Sequence, residues 1–300
     1  MREEFKPLIE KFYSTKVLVV GDTIIDKSTY GKAEGLSLES PTLKATFQRE
    51  TVSFGGAANL VRNLNRLGVK VTFITACKDT TAATMMRDNG AWPVRVYNAP
   101  VAVENVKQRF YISHGNEIYK YFQLNSTTDR DITEDYAQYL VRSVEKDYVN
   151  YDVVAFSDYN CGFINASVRQ AFFELAKKKG SKIYAAAQVS GAKNNLFHYQ
   201  TADCVVMNEA ESHTFKPSCP CYITEGANGS VYKIHNATYR ADAIRVTDVK
   251  NLIGAGDAFF AAVVAGHTEP VLANKFANAW AGAYIQKPFG ELPWPTDPDL

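Results

Sequence analysis

Residues 251–260 read Asn-Leu-Ile-Gly-Ala-Gly-Asp-Ala-Phe-Phe, opening an apolar, alanine-rich run that ends at Gly266. Gly254, Ala255 and Gly256 leave the backbone bare where a helix is expected to start. Unpaired N–H groups and the positive end of the helix dipole favour an anion there. Asp257 stands at the edge of this cradle, poised to take a proton from a hydroxyl. A cradle for a transferring phosphoryl group beside a base is the minimum equipment of a small-molecule kinase. Read alone, the tetrapeptide is equally a tight helix entry with Asp257 as a first-turn dipole partner.

The surrounding chain alternates strands with helices. Lys16 to Asp22 is a short apolar run ending in Gly-Asp, as expected of a buried parallel strand. A helix is expected over 56–67, a strand over 69–74, a strand over 152–157, a helix over 166–179 and a strand over 181–186. Strands at 204–207 and 221–224 and helices near 255–266 and 270–286 complete the series. This rhythm implies an α/β fold, a mainly parallel central sheet covered on both faces, with ligands gathering at the carboxyl ends of the strands. Residues 29–53 and 94–125 break the rhythm with alternating patterns and a hairpin turn at Ser113-His114-Gly115-Asn116-Glu117. They predict a small β-sheet standing off a single domain of 300 residues, as a lid or a dimer contact.

Thirty-three basic against 32 acidic residues give a formal charge of +1, so no global field draws the chain to nucleic acid. No run approaches the roughly 18 apolar residues of a membrane span, and Met1 to Lys16 lacks a signal-peptide core. Five irregularly spaced cysteines argue against a disulfide framework, and a reducing cytoplasm is the expected location.

Four further motifs carry chemistry. Asp22 and Asp26 can hold polyol hydroxyls, or cap a turn. Gly55-Gly56 with Asn59 opens a helix and admits a ligand to the backbone, or is a packing pair. Asn208 and Glu211 suit a helix cap, and equally a carboxylate holding water around Mg²⁺. Thr224 with Gly226 and Gly229 makes a turn that a nucleotide could approach.

Together, in this order, the motifs resemble the phosphofructokinase-B (ribokinase-like) family of sugar and nucleoside kinases over about residues 15–290. The N-terminal half is most similar to the D-glycero-β-D-manno-heptose-7-phosphate kinases, through residues 19–26, Tyr30-Gly31, Ser40-Pro41 and residues 55–59. Ser157-Asp158-Tyr159 and residues 276–279 add to the match. The resemblance implies a ribokinase-like three-layer α/β/α fold with a β lid, and ATP-dependent phosphorylation of a sugar or sugar-phosphate hydroxyl. It implies Asp257 as catalytic base and the amides of Gly254, Ala255 and Gly256 as the anion cradle. Asp22, Asp26, Gly55, Gly56, Asn59 and Asp158 would hold the sugar. Asn208, Glu211, Thr224, Gly226, Gly229 and Asn278 would meet the nucleotide, with Glu211 organising Mg²⁺ through water. A homodimer through the lid and the absence of a fused nucleotidyltransferase domain are further expectations.

Three departures from the family pattern stand out. Asn251, Leu252 and Ile253 replace the usual Asp-Thr-x, which argues against potassium activation. Cys161 stands where heptose-phosphate kinases carry a lysine, and Ala186-Ala187-Gln188-Val189 replaces their Asp-Pro-Lys. Lys44, Lys107, Arg109 or Lys193 would have to supply the missing positive charge. A catalytically altered sugar- or nucleotide-binding protein and a nucleoside kinase are the competing readings.

Overall fold

The computed structural model describes residues 2–88, 95–115, 117–128, 132–147, 149–187, 189–190 and 193–297. In chain order its elements are α1 (Lys6–Phe12), β1 (Lys16–Gly21), β2 (Thr23–Leu36), β3 (Leu43–Gly56), α2 (Ala57–Arg66), β4 (Lys70–Cys77), α3 (Asp79–Asp88) and β5 (Arg95–Pro100). Then come β6 (Val106–His114), β7 (Glu117–Ser126), α4 (Glu134–Glu145), β8 (Val153–Asp158), α5 (Ala166–Lys179), β9 (Lys182–Ala187) and the two-residue ladder of β10 (Val189–Ser190) with β11 (Lys193–Asn194). The chain continues through β12 (Cys204–Asn208), α6 (Glu209–Thr214), β13 (Cys221–Thr224), β14 (Ser230–Ile234), β15 (Ala237–Ala241), α7 (Ala255–Ala265) and α8 (Pro270–Ile285).

Nine strands form one sheet in the order β15-β14-β13-β12-β9-β8-β1-β4-β5. From β13 to β5 every pairing is parallel, and β14 and β15 are appended antiparallel. Val17, Leu18, Val19 and Val20 of β1 are wholly excluded from solvent, because helices cover both faces of a central parallel strand. One face packs against α1, α2, α7 and α8, with Phe276 and Trp280 fully buried among its residues. The other packs against α4 and α5. The result is the expected three-layer α/β/α arrangement.

Local chemistry sets the helix ends. Asn165 caps α5 by accepting from the Val168 amide at 3.0 Å, and Gly180 ends it in the left-handed region at φ 70°. Three lysines in the last turn face the negative end of the dipole.

The lid is a second sheet, ordered β3-β2-β6-β7. Its outer pairs are antiparallel and its central pair, β2 with β6, is parallel. It grows directly from the carboxyl end of β1, since only Asp22 separates β1 from β2, and β3 returns to feed α2. The expected lid boundary therefore needs correction. Arg95–Pro100 pairs with β4 as the edge of the main sheet, and the lid strands begin at Thr23 and end at Ser126. The mixed polarity of residues 95–100 comes from edge placement, which leaves one side unpaired. Among the described residues, no helix is long and apolar enough to cross a membrane.

Candidate active site

Gly254 opens α7 at φ 89°, where an added Cβ would overlap the Asn59 amide and the Tyr284 hydroxyl. A bare backbone is thus required by what packs around it. Asp257 lies in the first turn of α7 and is only 9% exposed. Its Oδ2 accepts from Asn59 Nδ2 of α2 at 3.0 Å, and its Oδ1 accepts from the Tyr159 hydroxyl. Burial pushes the Asp257 carboxyl up to about 6, while the Tyr159 and Asn59 hydrogen bonds pull it down.

Three adjoining cavities meet at this point. One of about 160 Å³ lies under the lid and is lined by Asp26, Gly55, Gly56 and Asn59 together with Arg62, Lys107 and Arg109. A second, of about 230 Å³, is lined by Asp158, Asn208, Glu211 and Thr224. Tyr159, Gly254 and Asp257 border both. A third, of about 580 Å³, has largely apolar walls from Ile244, Val246, Val249 and Ile285, with Gly226, Gly229 and Asn278 beside them. Thr224 and Gly256 border the second and third. Their order would suit an acceptor, a transferring phosphoryl group and a nucleotide, and they are called the acceptor pocket, the transfer passage and the nucleotide pocket below.

The acceptor side is built by the lid. Lys107 and Arg109 alternate on β6 and so share a face, opposite Asp26 and Ser28 of the neighbouring β2. Arg109 donates to Asp26 at 2.6 Å, and both side chains are nearly buried. Gly55 is necessary here, because a Cβ would overlap the Asp26 carboxylate. Lys107 sits over the Tyr159 ring, 5.5 Å from its centroid. Arg62, one turn beyond Asn59 on α2, donates to the Gly290 carbonyl at 2.5 Å and brings the C-terminal segment to the pocket wall.

Several expected residues sit elsewhere or do something else. Asp22 does not line the acceptor pocket; it is fully buried and accepts from the backbone N–H groups of Tyr159, Cys161 and Phe163 at 2.8, 3.3 and 3.2 Å. Burial and the neighbouring Asp158 carboxylate push Asp22 up to about 7, against those three donors. Its position at a strand end hid this, since a carboxylate facing ligand and one facing a loop look alike in sequence. Asp158 borders the transfer passage, but its oxygens accept from Tyr199, Asn195 and the Asn160 amide. Ala255 contributes no free donor to the cradle, because its N–H bonds the Leu252 carbonyl at 3.3 Å and the residue faces the nucleotide pocket.

Asn208 and Glu211 form a reciprocal capping box, each side chain bonding the other's backbone N–H at 2.8 Å, and both border the passage. Asn278 ties α8 to β14 through Ser230 at 2.6 Å while bordering the nucleotide pocket. Asn251 closes on its own loop, accepting from the Ile253 N–H at 3.0 Å. Lys44 pairs with Glu34 on the lid rather than reaching the site. The Lys193 side chain and Gln188 lie outside the described residues.

Tyr159, Arg62, Tyr284, Phe289 and Gly290 went unassigned from sequence. Arg62 was within reach, at helical i, i+3 spacing from Asn59. Nothing local marks Phe289 or Gly290, which arrive only through tertiary packing.

A family model described as pfkB family carbohydrate kinase matches residues 14–297. The chain belongs to the pfkB family of carbohydrate kinases. This makes it a phosphotransferase with an alcohol group as acceptor. It is 27% identical to the bifunctional protein HldE of Paramagnetospirillum magneticum, over 93% of this chain and 61% of that protein. It is 23% identical to HldE of Aliarcobacter butzleri, over 90% of this chain and 61% of that one. The chain thus spans about three fifths of these relatives. Among solved structures, a carbohydrate kinase from Agrobacterium tumefaciens superposes with a TM-score of 0.67 at 22% identity, covering 92% of each chain. Ribokinase of Arabidopsis thaliana, complexed with ribose and ATP, gives 0.67 at 17% identity, covering 91% of this chain and 93% of that one. These likenesses bear on the fold.

Proposed function

We propose that this carbohydrate kinase transfers the γ-phosphoryl group of ATP to a hydroxyl of a phosphorylated sugar, of the heptose-phosphate type. The observation that carries this reading is the meeting of Arg62, Lys107 and Arg109 in the pocket that also holds Asp257. Against Asp26 and Asp257, the three cations leave that pocket with a net positive charge, which suits a dianionic phosphate ester better than a neutral sugar. They supply from the lid and α2 the charge that Cys161 and residues 186–189 do not.

In this account the lid closes over the sugar and excludes water. Asp26, Gly55 and Gly56 hold its hydroxyls. The acceptor hydroxyl gives its proton to Asp257 as its oxygen attacks the γ-phosphorus. The Gly256 amide, at the positive end of α7, stabilises the charge on the transferring group. The apolar third cavity takes the base, with Thr224, Gly226 and Gly229 beside the nucleotide. The carboxylate and amide oxygens of Glu211 and Asn208 are hard donors at the passage wall, fitting Mg²⁺ held through water. When bound, Mg²⁺ neutralises phosphate charge. This reading places the kinase in the cytoplasm and, in a homodimer, sets a second copy against the exposed lid strand β7.

The test is an ADP-release assay with matched heptoses and hexoses, with and without a phosphate, and a nucleoside. A phosphorylated acceptor should be used with kcat/KM at least about tenfold above its neutral counterpart. Preference for a neutral sugar or a nucleoside would refute the acceptor assignment. Binding of ATP without turnover on any acceptor would favour the altered binding protein that Asn251-Leu252-Ile253 suggests.

A further inference from the structure

Tyr159 stands between the acceptor pocket and the transfer passage, and neither sugar nor nucleotide binding accounts for how it is held. From behind, Asp22 fixes it. That buried carboxylate gathers the N–H groups of Tyr159, Cys161 and Phe163, pinning a turn in which Asn160 and Gly162 both take positive φ, 54° and 96°. In front, the Tyr159 hydroxyl donates to Asp257 Oδ1, while Asn59 holds Oδ2. Lys107 lies over the ring.

We infer that Tyr159 is a positioning residue of the catalytic base, its hydroxyl fixing one Asp257 oxygen and keeping that carboxylate ionised, with Asp22 as its anchor. This rests on Asp257 being the base. A phenol that donates to a carboxylate favours the charged form. Burial and the Asp257 charge drive the Tyr159 hydroxyl well above its ordinary value, so it stays a donor across the working range. Among the described residues, Asn59 and Arg62 of α2, Tyr284 of α8, Asp26 of β2 and Lys107 and Arg109 of β6 share the pocket with Asp257. Of these, Asn59 and Lys107 favour the ionised form and Asp26 opposes it. Removing the Tyr159 hydroxyl takes away a direct bond that none of them replaces. The device explains why an aspartate in so buried a place, with Asp26 nearby, can still be unprotonated when the acceptor arrives.

The direct test needs no acceptor. In protein labelled at the aspartate carboxyl carbons, the Asp257 resonance is assigned by its loss in Asp257→Asn, and its titration is followed by NMR. Tyr159→Phe should move the midpoint upward by about 0.5 to 1 pH unit, with the fold intact by circular dichroism. An unchanged or lower midpoint in folded Tyr159→Phe overturns the inference. If Tyr159→Phe does not fold, tyrosine labelled at Cζ in the wild-type protein decides. The Tyr159 resonance must then move at the Asp257 midpoint and lose that movement in Asp257→Asn, and independence of the two refutes the coupling. The reading of Asp257 as base fails separately, by persistence of phosphoryl transfer in Asp257→Asn.

Discussion

Asn59 on α2 donates its side-chain amide to Asp257 on α7 at 3.0 Å, joining two helices across 198 residues of chain. The same amide lies 3.3 Å from the Tyr284 hydroxyl and 3.4 Å from the Gly254 carbonyl, so one side chain ties Asp257 to the opening of α7. Asn59→Ala should lower kcat by about 10- to 100-fold with a smaller change in KM, because a buried hydrogen bond to a charged group is lost. Steady-state kinetics at saturating ATP measure this split.

Gly254→Ala should be more damaging than its size suggests. The new methyl meets Asn59 and Tyr284, and the φ of 89° is strained for any other residue. A stability loss on the order of 2 kcal/mol and at least about a 100-fold loss of kcat are expected. Urea unfolding and kinetics on the same preparation read both. Full activity with unchanged stability would mean the helix entry adapts and is not the cradle.

The pH dependence has a definite sign. With the Asp257 midpoint at about 6, kcat/KM should be level above it and fall tenfold per pH unit below it. Stability runs the other way. The folded value lies above the unfolded 3.8, so the folded protein holds a proton that the unfolded chain has lost between about pH 4 and 6. That contribution to stability declines as pH rises through this window. Asp257→Asn, which never ionises, should therefore stabilise the protein at pH 8 by on the order of 2 kcal/mol and change little at pH 3.5. Asp22, pushed up to about 7, adds a decline of the same sign ending one unit higher.

At pH 8, well above the Asp257 midpoint so that the Lys107 charge is not needed to keep that carboxylate ionised, Lys107→Met should raise KM for a phosphorylated acceptor at least about tenfold and KM for a neutral sugar far less. Lys107 is the clean probe, since Arg109 also holds Asp26 and its loss would disturb the pocket itself. Equal effects on both acceptors would place the acceptor phosphate elsewhere.

Exchange of Na⁺ for K⁺ should leave the rate nearly unchanged. The Asn251 side chain satisfies itself on the Ile253 N–H and brings no charge to the loop before Gly254. A severalfold activation by K⁺, measured at constant ionic strength, would show that this loop still binds the ion.

The central sheet was legible because both of its faces are buried, which writes apolar runs such as Val17 to Val20 directly into the sequence. The start of α7 was legible for a related reason, since only glycine tolerates the approach of Asn59 and Tyr284 at position 254. The placement of Asp22 was not. Its role depends on the turn at 159–163, more than 130 residues away, and no local pattern records such a partner. The lid's inner boundary at residue 100 was also hidden, because an edge strand of the main sheet and a lid strand share the same half-exposed alternation. Lys107 and Arg109 were visible as cations, but only the parallel pairing of β6 with β2 sets them facing Asp26 and the acceptor pocket.

The most direct measurement of the central claim is single-turnover transfer of the γ-phosphoryl group from labelled ATP to the preferred acceptor, comparing wild type with Asp257→Asn at pH 8. If Asp257 is the base, the variant should still bind ATP and acceptor and transfer at least about 10³-fold more slowly. Transfer within tenfold of wild type would contradict the assignment and with it the mechanism built on that residue.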